Sequence, residues 1–330
     1  MEKEAILCVK DICKNFGTVK ALKSVSTSFY PGEIHGLIGE NGSGKSTLSS
    51  VISGIYPPDG GSMSLNGQEY RPSSIIDGER HGICMIVQEM GTINGITVAA
   101  NIFAGQEEKF SRFGIVNKKA MTEAAQKALE NIGVSDICAS AGIDEESFEN
   151  RKIVEIARAM CHEVQVLIVD ETTTALSQKG RTLIYALMDR LRREGKAVIF
   201  ISHDLDELTE HCDTVTVLRD GVFIKTLSKE EINPGTMRQL MVGRQIDEDY
   251  YRNDYDNYLG KEAVLSVENL SAEHVLKNIT FQLRAGEILG IGGLTDSGMH
   301  DLGKLAFGIG KADEGKVIFC KNGEAVTSPA

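Results

Sequence analysis

GENGSGKS, Gly39 to Ser46, sets glycines, a lysine and a serine in the spacing GxxxxGK[ST]. Glycines in such a loop let backbone N–H groups turn toward phosphate oxygens, and the helix that follows presents its positive end. Lys45 reaches outer phosphates and the Ser46 hydroxyl can ligate Mg²⁺. Gly39, Glu40, Asn41, Gly42, Ser43, Gly44, Lys45, Ser46 and Thr47 are therefore read as the cradle of a nucleotide. The run VQVLIVDET supplies its complement: four apolar residues, Val166 to Val169, carry Asp170 and Glu171 to the end of a buried strand. Asp170 suits Mg²⁺, directly or through its shell, and Glu171 suits the orientation and polarisation of an attacking water. Alone, such an acidic pair would read as a helix cap; beside an intact phosphate loop it reads as chemistry. Gln88 in IVQE and His203 in FISHD also fall at strand ends, and the order Lys45, Gln88, Asp170-Glu171, His203 raises both as candidates.

The elements that must hold these residues follow from short apolar runs. GEIHGLIG, GICMIVQ, VQVLIVD and KAVIFIS have the look of strands buried on both faces. Helical patterns separate them, for instance NKKAMTEAAQKALENIG with Ala120, Ala124, Ala128 and Ile132 at a spacing of four. DTVTVLRDGVFIKT reads as a hairpin turning on Asp220-Gly221. Parallel strands joined by helices make a wound α/β sheet, whose ligands sit beyond the carboxyl ends of the strands.

The chain also repeats itself. AILCVKDI from Ala5 resembles AVLSVENL from Ala263, and LKSVS from Leu22 resembles LKNIT from Leu276, offsets of 258 and 254. The copy is thus four residues shorter between these blocks (258 − 254), and Phe16 has no counterpart there. PGEIHGLIGENGSGKSTL from Pro31 runs parallel to AGEILGIGGLTDSGMHDL from Ala285, with Gly298 under Gly44 but Met299 under Lys45. GGSMSLNG resembles EGKVIFCKNG further on. Residues 1–246 are read as the first domain, the polar stretch 247–261 as a linker, and 262–330 as the N-terminal part of a second copy, truncated relative to a two-domain parent.

Composition is that of a globular protein, 42% hydrophobic and 25% charged, and the net charge of −12 argues against a broad nucleic-acid footprint. No apolar run approaches the roughly 20 residues that span a bilayer, and MEKEAILCVKDICK does not read as a secretory signal. Seven cysteines without a CxxC pair are read as reduced thiols, most of them buried small hydrophobes.

With these residues in place, the sequence closely resembles the ATP-binding subunits of ABC importers, in particular the tandem kind serving ribose, galactose, xylose and similar sugars. The resemblance is carried by FGTVKAL, GENGSGKSTL, IVQE followed by ITVAANIFAGQE, VEIARAM, DETTTALS, ISHDLDEL and VLRDG, and by GEILGIGGL in the second copy. It implies a P-loop NTPase fold of the ABC nucleotide-binding type, with an antiparallel β subdomain and a helical subdomain. It implies ATP and Mg²⁺ as cofactors, Phe16 stacking on adenine, Gln88 linking Mg²⁺ to the membrane partner, and His203 contacting the γ-phosphate. It further implies transmembrane permease subunits as partners, docked through the segment after Gln88, and through them an extracytoplasmic sugar-binding protein. The chain would sit peripherally on the cytoplasmic face of the cell membrane, touching it only through the permease and binding no nucleic acid.

Two departures stand out. Where the family carries Leu-Ser-x-Gly-Gln, this chain has Glu146-Ser147-Phe148-Glu149-Asn150, and Thr172 replaces a usual proline. Glu145, Glu146 and Glu149 are expected in the first turn of the following helix, satisfying its dipole and repelling a triphosphate. In a head-to-tail pair the first signature faces the second loop, so the loss of the glycine and the loss of the lysine fall on one composite site. The favoured activity is an ATP hydrolase driving a sugar importer. A non-hydrolysing regulatory subunit and a soluble tandem protein acting on ribosomes are the alternatives.

Overall fold

Every residue of Glu33–Ile38 (β3), Val166–Asp170 (β9) and Ala197–Ile201 (β10) is buried, and in a computed structural model of the protein these runs lie side by side. Ile83–Ile86 (β6) and Thr214–Arg219 (β11) continue the parallel sheet, and Val222–Ser228 (β12) closes it antiparallel, in the order β12-β11-β3-β10-β9-β6. The structure describes residues 4–87, 89, 91–243, 260, 262–272, 276–293, 297–321 and 324–328, with only the backbone at 175, 321 and 324–328. They fall into two compact units, Met1–Ile246 and Asp247–Ala330. Gln88, and all of the expected linker 247–261 except Gly260, lie outside the described residues.

In the first unit, register aligns the ends of the strands. Ile201 pairs with Asp170 on one side and with Leu37 on the other. The residues that follow β3, β9 and β10, namely Gly39, Glu171 and His203, therefore leave the sheet at one edge. β11 and β12 turn on Asp220 (φ 52°) and Gly221 (φ 77°), the conformation a tight hairpin demands.

A second sheet, Val19–Phe29 (β2), Leu7–Phe16 (β1), Gly60–Leu65 (β4) and Gln68–Glu69 (β5), is antiparallel in that order. Between the sheets lies Lys45–Ile52 (α1), whose Leu48, Val51 and Ile52 are buried with Val9, Ile12 and Val25 on one side and Leu37, Ile168 and Ile199 on the other. The helical subdomain has its own core. After Ile75–Arg80 (α2) it comprises Val98–Ile102 (α3), the hairpin Ser111–Arg112 (β7) and Ile115–Val116 (β8), Lys118–Asn131 (α4) and Phe148–Ala159 (α5). Gln178–Arg193 (α6), Leu205–His211 (α7) and Pro234–Val242 (α8) complete the unit.

The helix expected from the alanine spacing is α4; within it Met121, Ala125 and Leu129 are buried and the Ala120-Ala124-Ala128 stripe lies beside them, half-buried. The larger Met and Leu side chains bury more apolar area than alanine and set the phase of the helix. One expectation is corrected: of the seven cysteines only Cys84 and Cys212 are buried, Cys138 is exposed, and none forms a disulfide.

The second unit repeats the antiparallel sheet. Ala263–Ala272 (β13), Leu276–Arg284 (β14), Glu314–Lys321 (β15) and Glu324–Ser328 (β16) are ordered β14-β13-β15-β16, the same connectivity as β2-β1-β4-β5. Asp11 and Ser24 are left-handed in the first copy (φ 51° and 60°), and Asn269 and Asn278 are left-handed at the matching places (50° and 53°). The copy of β3, residues 287–293, makes no strand among the described residues, and Ile288 is 87% exposed. The turn into Met299–Phe307 (α9) nonetheless survives: Gly298 is left-handed (φ 81°), as Gly44 is before α1 (φ 102°).

Candidate nucleotide-binding site

The loop between β3 and α1 is shaped by two glycines with separate jobs. A Cβ on Gly39 would come within 2.2 Å of the Leu218 carbonyl oxygen and 2.4 Å of Ser43 Oγ. Gly44 combines φ 102° with a Cβ position 2.8 Å from the Ala21 carbonyl, which L side chains cannot share. Gly44 caps α1 without a side-chain hydrogen bond, and no acidic residue lies in the first turn. The N-terminal amides and the dipole of α1 thus meet no carboxylate from the helix's own first turn. Glu40, Asn41, Gly42 and Ser46 are exposed, Thr47 is half-buried, and Ser43 is buried with no partner for its hydroxyl.

Lys45 is 5% exposed, and its ammonium donates to Gly39 O (2.8 Å) and Glu40 O (3.3 Å). Burial lowers its pKa, while the charges of Glu171 and Asp170 pull it back up. Asp170, at the end of β9, is 4% exposed. Burial, reinforced by the Glu171 charge, pushes its pKa up to about 6, against the opposing pull of Ser46, Lys45 and Ser49. Its Oδ1 has no hydrogen-bond partner. An anionic oxygen held away from water and lacking a donor is a fitting place for a cation. Among the described residues no group of three or more His, Cys, Asp and Glu side chains could hold a metal by itself. A cation here would need oxygens from a ligand as well, as Mg²⁺ at phosphates does.

Glu171 takes a left-handed conformation (φ 43°), its N–H donating to Ile201 O at 3.0 Å. That bond anchors the turn to the neighbouring strand. It brings Glu171 Oε2 to 3.9 Å from His203 Nδ1, with His203 largely exposed. Thr172 adopts φ −75°, the angle proline would fix, and its hydroxyl donates to Asp170 O at 3.1 Å. The threonine thus keeps the geometry of the absent proline by a hydrogen bond.

Phe16 ends β1 with 41% exposure and meets Tyr56 edge-to-face, ring centroids 5.1 Å apart. Its hairpin is fastened to the loop: Lys23 N donates to Gly221 O (2.7 Å) and Gly221 N to Ser43 O (3.1 Å).

Two groups of residues escaped the sequence reading. Glu207 accepts from Thr173 Oγ1 (2.9 Å) and Ser202 Oγ (2.7 Å), joining the segment after Glu171 to the one before His203. Lys152, Glu155 and Arg158 face the segment around Gln88. Lys152 is fully buried, its ammonium donating to the carbonyls of Val87 (2.7 Å) and Glu89 and to Glu155 (3.0 Å). Glu155 accepts from Gly91 N, and Arg158 donates to Gly91 O. The charged spacing i, i+3, i+6 in RKIVEIARAM was the available signal; an ammonium buried so deeply needs several acceptors.

The expectation of three carboxylates in the first turn of α5 is corrected. Glu145 ends a preceding 3₁₀ turn, Ile143–Glu145, and Glu146 precedes the cap and accepts from Asn150 Nδ2 (2.7 Å). Ser147 caps α5, accepting from Asn150 N (3.1 Å), and Glu149 alone lies in the first turn.

Residues 22–174 match the family described as ABC transporter. The chain carries an ABC transporter domain. Such a domain is a nucleotide-binding module, and solved examples share its fold. An ATP-binding cassette of an ABC transporter in its ADP conformation superimposes with a TM-score of 0.62 at 26% identity, covering 73% of this chain and 98% of that one. A nucleotide-free ATP-binding cassette gives 0.59 at 26%, covering 74% and 100%. The ABC transporter domain, together with the second unit, also resembles curated relatives. A ribose import ATP-binding protein RbsA of Geobacillus kaustophilus is 38% identical over 321 residues, 97% of this chain and 64% of that protein. One of Caldanaerobacter subterraneus is 35% identical over 326 residues, 99% and 65%. The chain therefore spans less than two thirds of the length of these relatives.

Proposed function

We propose that this chain binds and hydrolyses ATP to energise a monosaccharide importer of the ABC type. The observation that carries the reading is the convergence of Lys45, Asp170 and Glu171 at one edge of the parallel sheet. The relatives' names supply the class of cargo. In this reading the amides of residues 40–46 and the Lys45 ammonium hold the outer phosphates, and Phe16 carries adenine on its exposed face. Ser46 and Asp170, with Gln88, hold Mg²⁺. Bound there, Mg²⁺ neutralises charge on the β- and γ-phosphates. Glu171, fixed by its N–H bond to Ile201, orients and polarises the attacking water, and His203 beside it contacts the γ-phosphate.

The repeated loop takes no part in holding phosphate. Met299 offers no cation where Lys45 stands, and Glu149 places a carboxylate where the facing signature would have glycine. The Gly39–Thr47 loop, by contrast, keeps its lysine and its serine. The proposed partners are transmembrane permease subunits, docked through the segment following Gln88, and through them an extracytoplasmic sugar-binding protein. No helix among the described residues is long and apolar enough to cross a membrane. The proposed attachment to the cytoplasmic face is through the permease. The test is co-expression with a permease of the ribose-import type and reconstitution in vesicles. Sugar uptake dependent on ATP and abolished by Lys45→Ala supports the reading; uptake indifferent to Lys45→Ala contradicts it.

A further inference from the structure

Glu149 is half-buried at the start of α5 and reaches across to α6. Its Oε1 accepts a hydrogen bond of 2.6 Å from Ser177 Oγ, 28 residues away. Ser177 is the N-cap of α6, accepting from Gly180 N at 3.4 Å. We propose that Glu149 is a positioning residue, its carboxylate seated over Gly180 and bonded to Ser177 so that α5 is tied to the segment carrying Glu171. The inference rests on the reading of Glu171 as the residue that orients water.

Three observations carry it. First, Gly180 is buried in the first turn of a 16-residue helix, where glycine is a poor helix former and no left-handed angle requires it. A Cβ there would lie 2.6 Å from Glu149 Oε1, so the glycine provides room for this carboxylate. Second, the first turn of α6 has no acidic residue of its own, and the Glu149 carboxylate supplies the negative charge its dipole favours. Third, Ser177 closes a short bonded segment that starts at Glu171. Thr174 Oγ1 donates to Glu171 O (3.0 Å), and Arg181 Nε donates to Thr173 O (3.0 Å) and Leu176 O (3.3 Å). A shift of Ser177 therefore propagates to Glu171, and small misplacements of a reacting group are costly in rate. The residue that replaced the signature glycine would thus serve the intact site in its own domain.

The test uses the whole chain, with Lys45→Ala as the blank for contaminating hydrolysis. Glu149→Ala and Ser177→Ala are each expected to lower kcat about three- to tenfold with KM for Mg·ATP unchanged. Glu149→Gln, whose amide oxygen still accepts from Ser177, should stay within about twofold of the parent. The double Ala variant should be no slower than Ser177→Ala alone, because Glu149→Ala then removes a contact already lost. A purely structural contact would lower Tm and leave kcat alone. A second measurement needs no turnover: Gly180→Ala should depress Tm by several degrees more in the parent than in the Glu149→Ala background. An unchanged kcat in Glu149→Ala, additive losses, or an equal Tm effect of Gly180→Ala in both backgrounds would each overturn the inference. Hydrolysis insensitive to Glu171→Gln would instead overturn the underlying reading of the site.

Discussion

Glu171 Oε2 and His203 Nδ1 lie 3.9 Å apart, at the ends of two parallel strands locked in register by the pairing of Asp170 with Ile201. The Glu171 side chain is mostly buried and the His203 side chain is largely exposed. One group is sheltered enough to act on a water, and the other is free to meet a ligand oxygen. This relationship is set by backbone: the turn at Glu171 is left-handed and bonded to Ile201.

Glu171→Gln should therefore keep the fold and the affinity for Mg·ATP while lowering turnover by about 10²-fold or more. Equilibrium binding and single-turnover hydrolysis on one preparation check both halves. A variant that turned over at the parent rate would show that another group orients the water.

Asp170 gives a pH signature. Its pKa rises from 3.8 to about 6 on folding, chiefly through burial. The folded state therefore holds this proton more tightly, a contribution fully present below about pH 3.8 and lost as pH rises through about 6. At pH 7 the ionised buried carboxylate costs on the order of 3 kcal/mol. Asp170→Asn should be more stable than the parent by about that amount at pH 7 in the absence of nucleotide. The gap should narrow as pH falls from 6 toward 4, while Mg·ATP binding is lost. Denaturant unfolding at several pH values reads the gap; a constant one would mean that Asp170 is not the titrating group.

Gly60 and Gly61 offer a matched pair. Gly61 is left-handed (φ 90°), and a Cβ on it would lie 2.4 Å from Asp11 O. Gly60 has nothing nearer than Cys13 Cβ at 3.7 Å. Gly61→Ala should cost about 2 kcal/mol or more and Gly60→Ala well under 1, measured by chemical unfolding. Equal costs would contradict the described pairing of β1 with β4.

Much of this was legible because the informative residues are local. The phosphate loop is eight consecutive residues, and the strands of the parallel sheet announce themselves as apolar runs because both faces are covered. The repeat could be read from two short blocks. What could not be read depends on contacts across the chain. The Glu149–Ser177 bond spans 28 residues, and Glu207 reaches back 34 to Thr173. The alanine spacing marked α4 as a helix but not which row is buried, because alanine is small enough to sit beside a core row as easily as within it. The Lys152 ammonium finds two of its three acceptors on a segment more than 60 residues earlier, which no helical periodicity encodes.

The most direct test is titration of the purified 330-residue chain with Mg·ATP by calorimetry, beside Lys45→Ala. One site per chain is expected, abolished by Lys45→Ala, because Met299 leaves the repeated loop without its cation. Two equivalent sites per chain, or a single site that survives Lys45→Ala, would contradict the assignment of nucleotide binding to the Gly39–Thr47 loop alone.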